Sequence, residues 1–168
     1  MSINLKIMST LLAAWLAGQT AVAGNVGIKT PVAIPPMMKG AIVDSIEVGS
    51  RRLLTDQNKI SLYTFDADDE NKTNCAGGCL DVWPALIVPA GAKVAAPFAT
   101  IQRSDGRLQL TVNKLPLYYY FKDQQPGDLK GEYPTWRPIP ALDASQSINA
   151  LMAGFAESIG IEGFENQD

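Results

Sequence analysis

Histidine is absent from this 168-residue chain, and cysteine occurs only twice. Without an imidazole, hydrolytic triads and histidine-based acid–base catalysis lose their central group. A structural zinc site asks for four cysteine or histidine ligands, and this chain has only Cys75 and Cys79 to offer. Haem is left with methionine, tyrosine or cysteine as its axial ligand, and no glycine-rich loop stands at a strand–helix junction to hold a phosphate. An excess of basic charge is missing too: 14 Lys and Arg face 17 Asp and Glu, a net charge of −3. Nucleic acids and anionic membrane surfaces select basic patches, so both are poor partners. There is no membrane span, since the apolar run Ile7 to Gly18 falls well short of the ~20 residues required. These absences leave no catalytic residue, metal or cofactor to assign, and the chain is expected not to be an enzyme.

The short apolar run has another use. Lys6 is the lone charge ahead of it, and Ala21-Val22-Ala23 follows as a small-x-small cleavage signal, so residues 1–23 read as a secretory signal peptide cut after Ala23. Neither cysteine lies at the cleavage point, so no lipid anchor is expected. Losing Lys6 makes the mature chain one unit more negative. The remainder has the size of one domain with its own core. Its expected place is the periplasm or the exterior of a bacterium, where an oxidising environment pairs thiols. Ligand and partner are not specified by composition.

Residues 24–40 carry Pro31, Pro35 and Pro36 and read as an extended arm, because proline removes donors that a helix or central strand needs. Met37 and Met38 read as gap-fillers rather than soft-metal ligands. From 41 to 140 the pattern alternates in the manner of strands. Runs around 41–48, 51–55 and 61–65 are separated by a turn at Asp56-Gln57-Asn58. Later runs from 99 to 121 are separated by turns at Ser104-Asp105-Gly106 and Asn113-Lys114. Residues 141–160 place Ile148, Leu151, Met152, Phe155 and Ile159 at helical spacing, which predicts a C-terminal amphipathic helix packed on the sheet, with Asp143 or Ser145 as N-cap. Residues 161–168 should fray.

The β region repeats itself. Leu62-Tyr63-Thr64-Phe65-Asp66-Ala67-Asp68 is followed by Trp83, and Leu117-Tyr118-Tyr119-Tyr120-Phe121-Lys122-Asp123 is followed by Trp136. Strand periodicity puts Tyr63 with Phe65 on one face, and Tyr118 with Tyr120 on one face. Asp68 and Asp123 fall just past the strand ends, where a carboxylate can accept backbone N–H groups and set a turn. Trp83 and Trp136 bring large buried area and an N–H that needs a partner. The fold expected is mainly β: two similar antiparallel β units forming one small sandwich or barrel-like domain, plus the C-terminal helix.

This doubled pattern resembles the bacterial secreted-repeat family, predicted lipoproteins of unknown function with a Tyr-x-(Phe/Trp/Tyr)-x-x-Asp motif. The first copy matches at Tyr63, Phe65, Asp68, Asn74, Cys75, Gly78, Cys79, Trp83 and Pro84. The second matches at Lys114, Pro116, Leu117, Tyr118, Tyr120, Asp123, Pro126, Gly127, Asp128 and Trp136. The resemblance spans Arg52 to Pro138. Two features depart from it: there is no lipobox cysteine, and Tyr133-Pro134-Thr135-Trp136-Arg137 stands where the family commonly has Gly-Gly-x-Trp-His. A family function needing that histidine does not carry over.

For the cysteines, a thioredoxin-type pair has two intervening residues and a helix N-terminus; here Ala76-Gly77-Gly78 intervene and no helical pattern follows. A copper site would want a histidine. A Cys75–Cys79 disulfide is the expectation, with the glycines letting the backbone bend. Asp66, Asp68, Asp69 and Glu70 form a candidate weak cation site, but Asn71 and Gly77 stand where a calcium loop needs its glycine and its bidentate glutamate. The aromatic run 118–121 could stack a planar ligand or line a core. The leading expectation is a non-catalytic periplasmic or secreted binding or scaffold module, presenting the acidic and aromatic turns at the Asp ends of the two motifs, with an envelope protein as a candidate partner. The alternative is a redox- or metal-linked envelope accessory acting through Cys75 and Cys79.

Overall fold

A computed structural model describes residues 28–142 continuously, with Gln146, Asn149 and Met152 beyond them. The expected signal peptide and frayed tail lie outside the described residues. So does nearly all of the expected C-terminal helix, which has no support here. Its first two positions are not helical: Ala141 N–H donates to Arg52 O at 3.0 Å and Leu142 N–H to Val32 O at 2.9 Å.

The chain forms β1 (Val43–Val48), β2 (Arg51–Asp56), β3 (Tyr63–Phe65), a one-turn α1 (Cys79–Val82), β4 (Ile87–Val88), β5 (Phe98–Gln102), β6 (Leu108–Val112), β7 (Leu115–Pro116) and β8 (Trp136–Pro138). The turns follow their residue chemistry. Asn113 and Lys114 adopt φ 47° and 69°, the double left-handed geometry of a two-residue hairpin, and join β6 to β7. Asp56 Oδ1 accepts the N–H of Asn58 at 2.8 Å and of Ile60 at 2.9 Å, closing the turn after β2. The brief α1 was not expected from the sequence, because one turn is too short to show a helical period.

The architecture is mainly β with antiparallel strand pairs, as expected, but no barrel closes among the described residues. There are three small sheets: β1–β2, β3–β8, and β4–β6–β5 with β7 also on β6. The two units are not laid side by side. They exchange strands. β3 of the first motif pairs with β8, which follows the second motif. In return Tyr118 of the second motif bridges Ala85, which follows the first, and Leu86 N–H donates to Leu117 O at 2.9 Å. The exchange continues outward: β4 pairs with β6, while Leu54 N–H donates to Ile139 O at 2.8 Å. Each copy therefore completes the other's backbone hydrogen bonding.

This exchange explains why Leu53, Leu54, Thr55 and Asp56 of β2 are all buried. With β1 on one side and the returning 139–141 segment on the other, β2 is a covered strand rather than an edge. An aliphatic core gathers Leu54, Leu62, Leu110, Leu117 and Ile139, each fully buried; burial of such a side chain is worth roughly 1.5–3 kcal/mol. The proline-containing arm contributes to it. Val32 forms a bridge to Ala141, and Met38 is wholly buried in the core while Met37 is exposed, so Met38 alone plays the gap-filling part. A second, aromatic core sits at the motif end of the molecule.

Candidate functional site

The tyrosines and aspartates of the two motifs meet across the copies. Tyr63 and Tyr118 form an antiparallel bridge, with Tyr63 N–H to Tyr118 O at 2.9 Å and Tyr118 N–H to Tyr63 O at 3.0 Å. The Tyr63 hydroxyl then donates to Asp123 Oδ2 at 2.5 Å, and the Tyr118 hydroxyl to Asp68 Oδ2 at 2.7 Å. The remaining carboxylate oxygens accept downstream backbone N–H groups, from Asn74 at 2.7 Å for Asp68 and from Lys130 at 2.9 Å for Asp123. Each aspartate sets the turn of its own copy and binds the tyrosine of the other. Burial holds the Asp68 carboxyl above the usual carboxylate range, though the Asn74 N–H and Tyr118 hydroxyl oppose it. Burial, with the adjoining carboxylate, also pushes the Tyr63 phenol far above its ordinary value, and burial does the same to Tyr118. Groups so deeply committed to structure are poorly placed to move protons.

The aromatic residues form a column. Trp83 and Trp136 stack at 3.8 Å between ring centres and 1° between planes. Phe65 stacks on Trp136 at 4.2 Å and Tyr120 leans on Trp83 at 4.6 Å, so the order is Phe65, Trp136, Trp83, Tyr120. The ends are motif equivalents, and so are the middle pair. Tyr63 meets the edge of Trp83 at 5.6 Å and Tyr118 meets the edge of Trp136 at 5.1 Å. A pseudo-two-fold thus relates backbone bridge, Tyr–Asp bonds and ring stack together.

Cys75 and Cys79 are joined in a disulfide with Cα atoms 5.4 Å apart. Cys75 is buried in the aromatic core and Cys79 starts α1, which leads directly into Val82 and Trp83. Beneath it lies a residue that sequence reasoning passed over: Arg103, 5% exposed. It donates to Cys75 O at 2.9 Å and to Gln109 Oε1 at 2.5 Å, while Gln109 Nε2 donates to Leu117 O at 2.8 Å. Nothing in local patterning marks an arginine after a strand as buried; only the exchanged packing covers it. The second copy has Gly131 where Cys75 stands in the first, counting from Asn74 and Lys130. A Cβ there would lie 2.6 Å from Tyr120 Cβ, so the close approach demands glycine.

The acidic cluster does not converge. Asp68 turns inward to Tyr118; Arg137 Nε donates to Asp66 at 2.9 Å; Lys72 pairs with Asp69 at 3.1 Å and Lys114 with Glu70 at 2.8 Å. Among the described residues no group of three potential ligands gathers at one point.

A cleft of about 460 Å³ opens over the column, lined by Val82, Trp83, Tyr120 and the Tyr133-Pro134-Thr135-Trp136 stretch. Its rim is exposed apolar surface: Val82 is 38% and Tyr133 47% exposed. Among the described residues no charged side chain lines it. Tyr133 and Val82 were not singled out in the sequence. The available signal was the departure at 133–137 from the resembled pattern, since Tyr133, Pro134 and Trp136 belong to it and wall the cleft.

The fold and site define a small, disulfide-braced, mainly β domain made of two like halves that exchange strands. The two halves match the description "secreted repeat of unknown function" at residues 51–87 and 99–138. The chain belongs to this family. No curated protein and no solved structure matches it. Among the described residues no helix is long and apolar enough to cross a membrane.

Proposed function

We propose that the protein is a non-catalytic binding module of the periplasm or the cell exterior, and that it binds through the cleft above the Trp83–Trp136 stack rather than through the acidic turns. The observation that carries this reading is the uncharged aromatic cleft with an exposed rim at Val82 and Tyr133, against an interior where the motif's polar groups are spent on one another. A concave, mostly apolar surface with a few polar groups is the ordinary form of a binding site. The acidic carboxylates, by contrast, are each engaged with a separate partner.

The test follows the indole N–H resonances of Trp83 and Trp136 while neutral peptides, oligosaccharides and phospholipid vesicles are added in turn. One class should shift both indoles together. If none does, the cleft is not a binding site.

A second reading, a redox accessory, is favoured by Cys79 alone, half-buried at the start of α1, the helix that ends at Val82 of the cleft, and bonded to Cys75. Thiol titration of protein taken from the envelope separates the two. A disulfide that persists in mild reductant, with a Cys75→Ser/Cys79→Ser variant losing only stability, rules out the redox role.

A further inference from the structure

We propose that Asn71 is an acceptor for an N-linked oligosaccharide, attached during export before the two copies close on each other. The site lies outside the cleft and does not depend on the binding reading above.

Among the asparagines of the chain, Asn71 alone has serine or threonine two residues on, with Lys72 between it and Thr73. Asn-x-Ser/Thr is the pattern that oligosaccharyl transfer requires, and a secreted chain is the kind that meets the enzyme. The bacterial form of the reaction also asks for a carboxylate two residues before the asparagine, and Asp69 stands there. The acidic turn that gathers no cation thus contains a complete acceptor sequence.

The fold presents this asparagine to solvent. Asp69 N–H donates to Lys72 O at 3.2 Å and Lys72 N–H to Asp69 O at 3.1 Å, so Glu70 and Asn71 form the tip of a tight turn. Asn71 sits at φ 57°, a left-handed conformation that asparagine tolerates. Its N–H donates to Lys114 O at 2.7 Å, which ties the turn to the β6–β7 hairpin. The residue is exposed, and its carboxamide has no hydrogen-bond partner among the described residues. An oligosaccharide on Nδ2 therefore replaces no contact of the fold. In the transfer, Nδ2 bonds to C1 of a sugar carried on a lipid diphosphate. The bond from C1 to the phosphate oxygen breaks, the amide gives up one proton, and the lipid diphosphate leaves.

Thr73 sets the timing. The transferring enzyme has to engage its hydroxyl, yet in the folded protein Oγ1 lies 2.6 Å from the Tyr118 hydroxyl and accepts the Cys75 N–H at 3.2 Å. Tyr118 belongs to the second copy, so the hydroxyl is free only until that copy docks.

The experiment exports the full chain into a bacterial periplasm that holds an oligosaccharyltransferase and its lipid-linked oligosaccharide. Mass spectrometry then weighs the peptide containing Asn71, while an acceptor peptide fused to an unrelated exported protein reports that the enzyme is active. The Asn71 peptide should carry the mass of the oligosaccharide. Asn71→Gly, which a left-handed turn accepts without strain, should lose it. Asp69→Ala, at an exposed position, should lose it too, and circular dichroism confirms that both variants fold. A bare Asn71 beside a modified control overturns the inference, as does an oligosaccharide that persists in Asn71→Gly. With purified enzyme, the folded protein should be modified about tenfold more slowly than a synthetic peptide of residues 66–76, because local opening must first release Thr73. Equal rates overturn the order in which transfer precedes docking.

Discussion

At the scale of single residues, Tyr63 and Tyr118 do most to specify the molecule. Each is fully buried, each spends its backbone on the other, and each sends its hydroxyl to the aspartate of the opposite copy. Tyr118→Phe should cost about 1.5–3 kcal/mol, because it takes a donor from a buried carboxylate. The urea midpoint measures this, and a Tyr118→Phe/Asp68→Asn double variant should fall short of the sum of the singles, since the two groups share one bond. Burial raises the phenols of Tyr63, Tyr118 and Tyr119 well above their ordinary value. A group whose folded pKa is raised lends stability that is complete below its unfolded pKa, about 10 for tyrosine, and is lost as pH rises beyond it. Stability should therefore be flat with respect to these groups up to pH ~10 and then fall by roughly 1.4 kcal/mol per pH unit for each of the three. Urea midpoints at successive alkaline pH values would show it, with tyrosinate absorbance at these positions appearing only on unfolding. A smooth tyrosinate titration in the folded state near pH 10 would contradict the burial.

At the scale of elements, the disulfide loop and α1 form one unit. Cys79 opens the helix, Val82 ends it, and Trp83 follows into the column. Because the loop is short, closing it contributes only about 2 kcal/mol on the chain-entropy model. The Cys75→Ser/Cys79→Ser variant should lose about that much and remain folded, with its larger effect on the tryptophan environment, because Arg103 still holds Cys75 O from the other side. Tryptophan fluorescence measured beside the unfolding midpoint distinguishes a local loosening from a global one. Global unfolding on reduction would mean that the brace carries more than its own loop. The hairpins need no such support: turn chemistry at Asn113-Lys114 and at Asp56-Gln57-Asn58 was readable from residue type, and the strands on either side appear where alternation put them.

At the scale of the whole molecule, the copies are interlocked rather than adjacent. The linker between β4 and β5 runs over the surface, with Pro89, Ala90, Gly91 and Lys93 exposed. If a protease site is placed there and cut after folding, the two fragments should co-elute in gel filtration under native conditions and separate only in denaturant, since each completes the other's strand pairing. Fragments that part in buffer would contradict the exchange. The sequence by itself determined the β character, the turns, the duplication, the family and the Cys75–Cys79 pair, because strand alternation, turn chemistry and thiol spacing are local properties of the chain. It put Asp68 and Asp123 past the strand ends but could not name the tyrosine each receives. Whether a copy closes on itself or on its twin depends on which of two equivalent pairings is made, and both read the same in sequence. Only the tertiary structure decided that β3 pairs with β8, that Arg103 is buried, that four rings stack in a column, and that Tyr133 and Val82 border a cleft. Each of these joins residues far apart along the chain, and no local periodicity carries the information to bring them together.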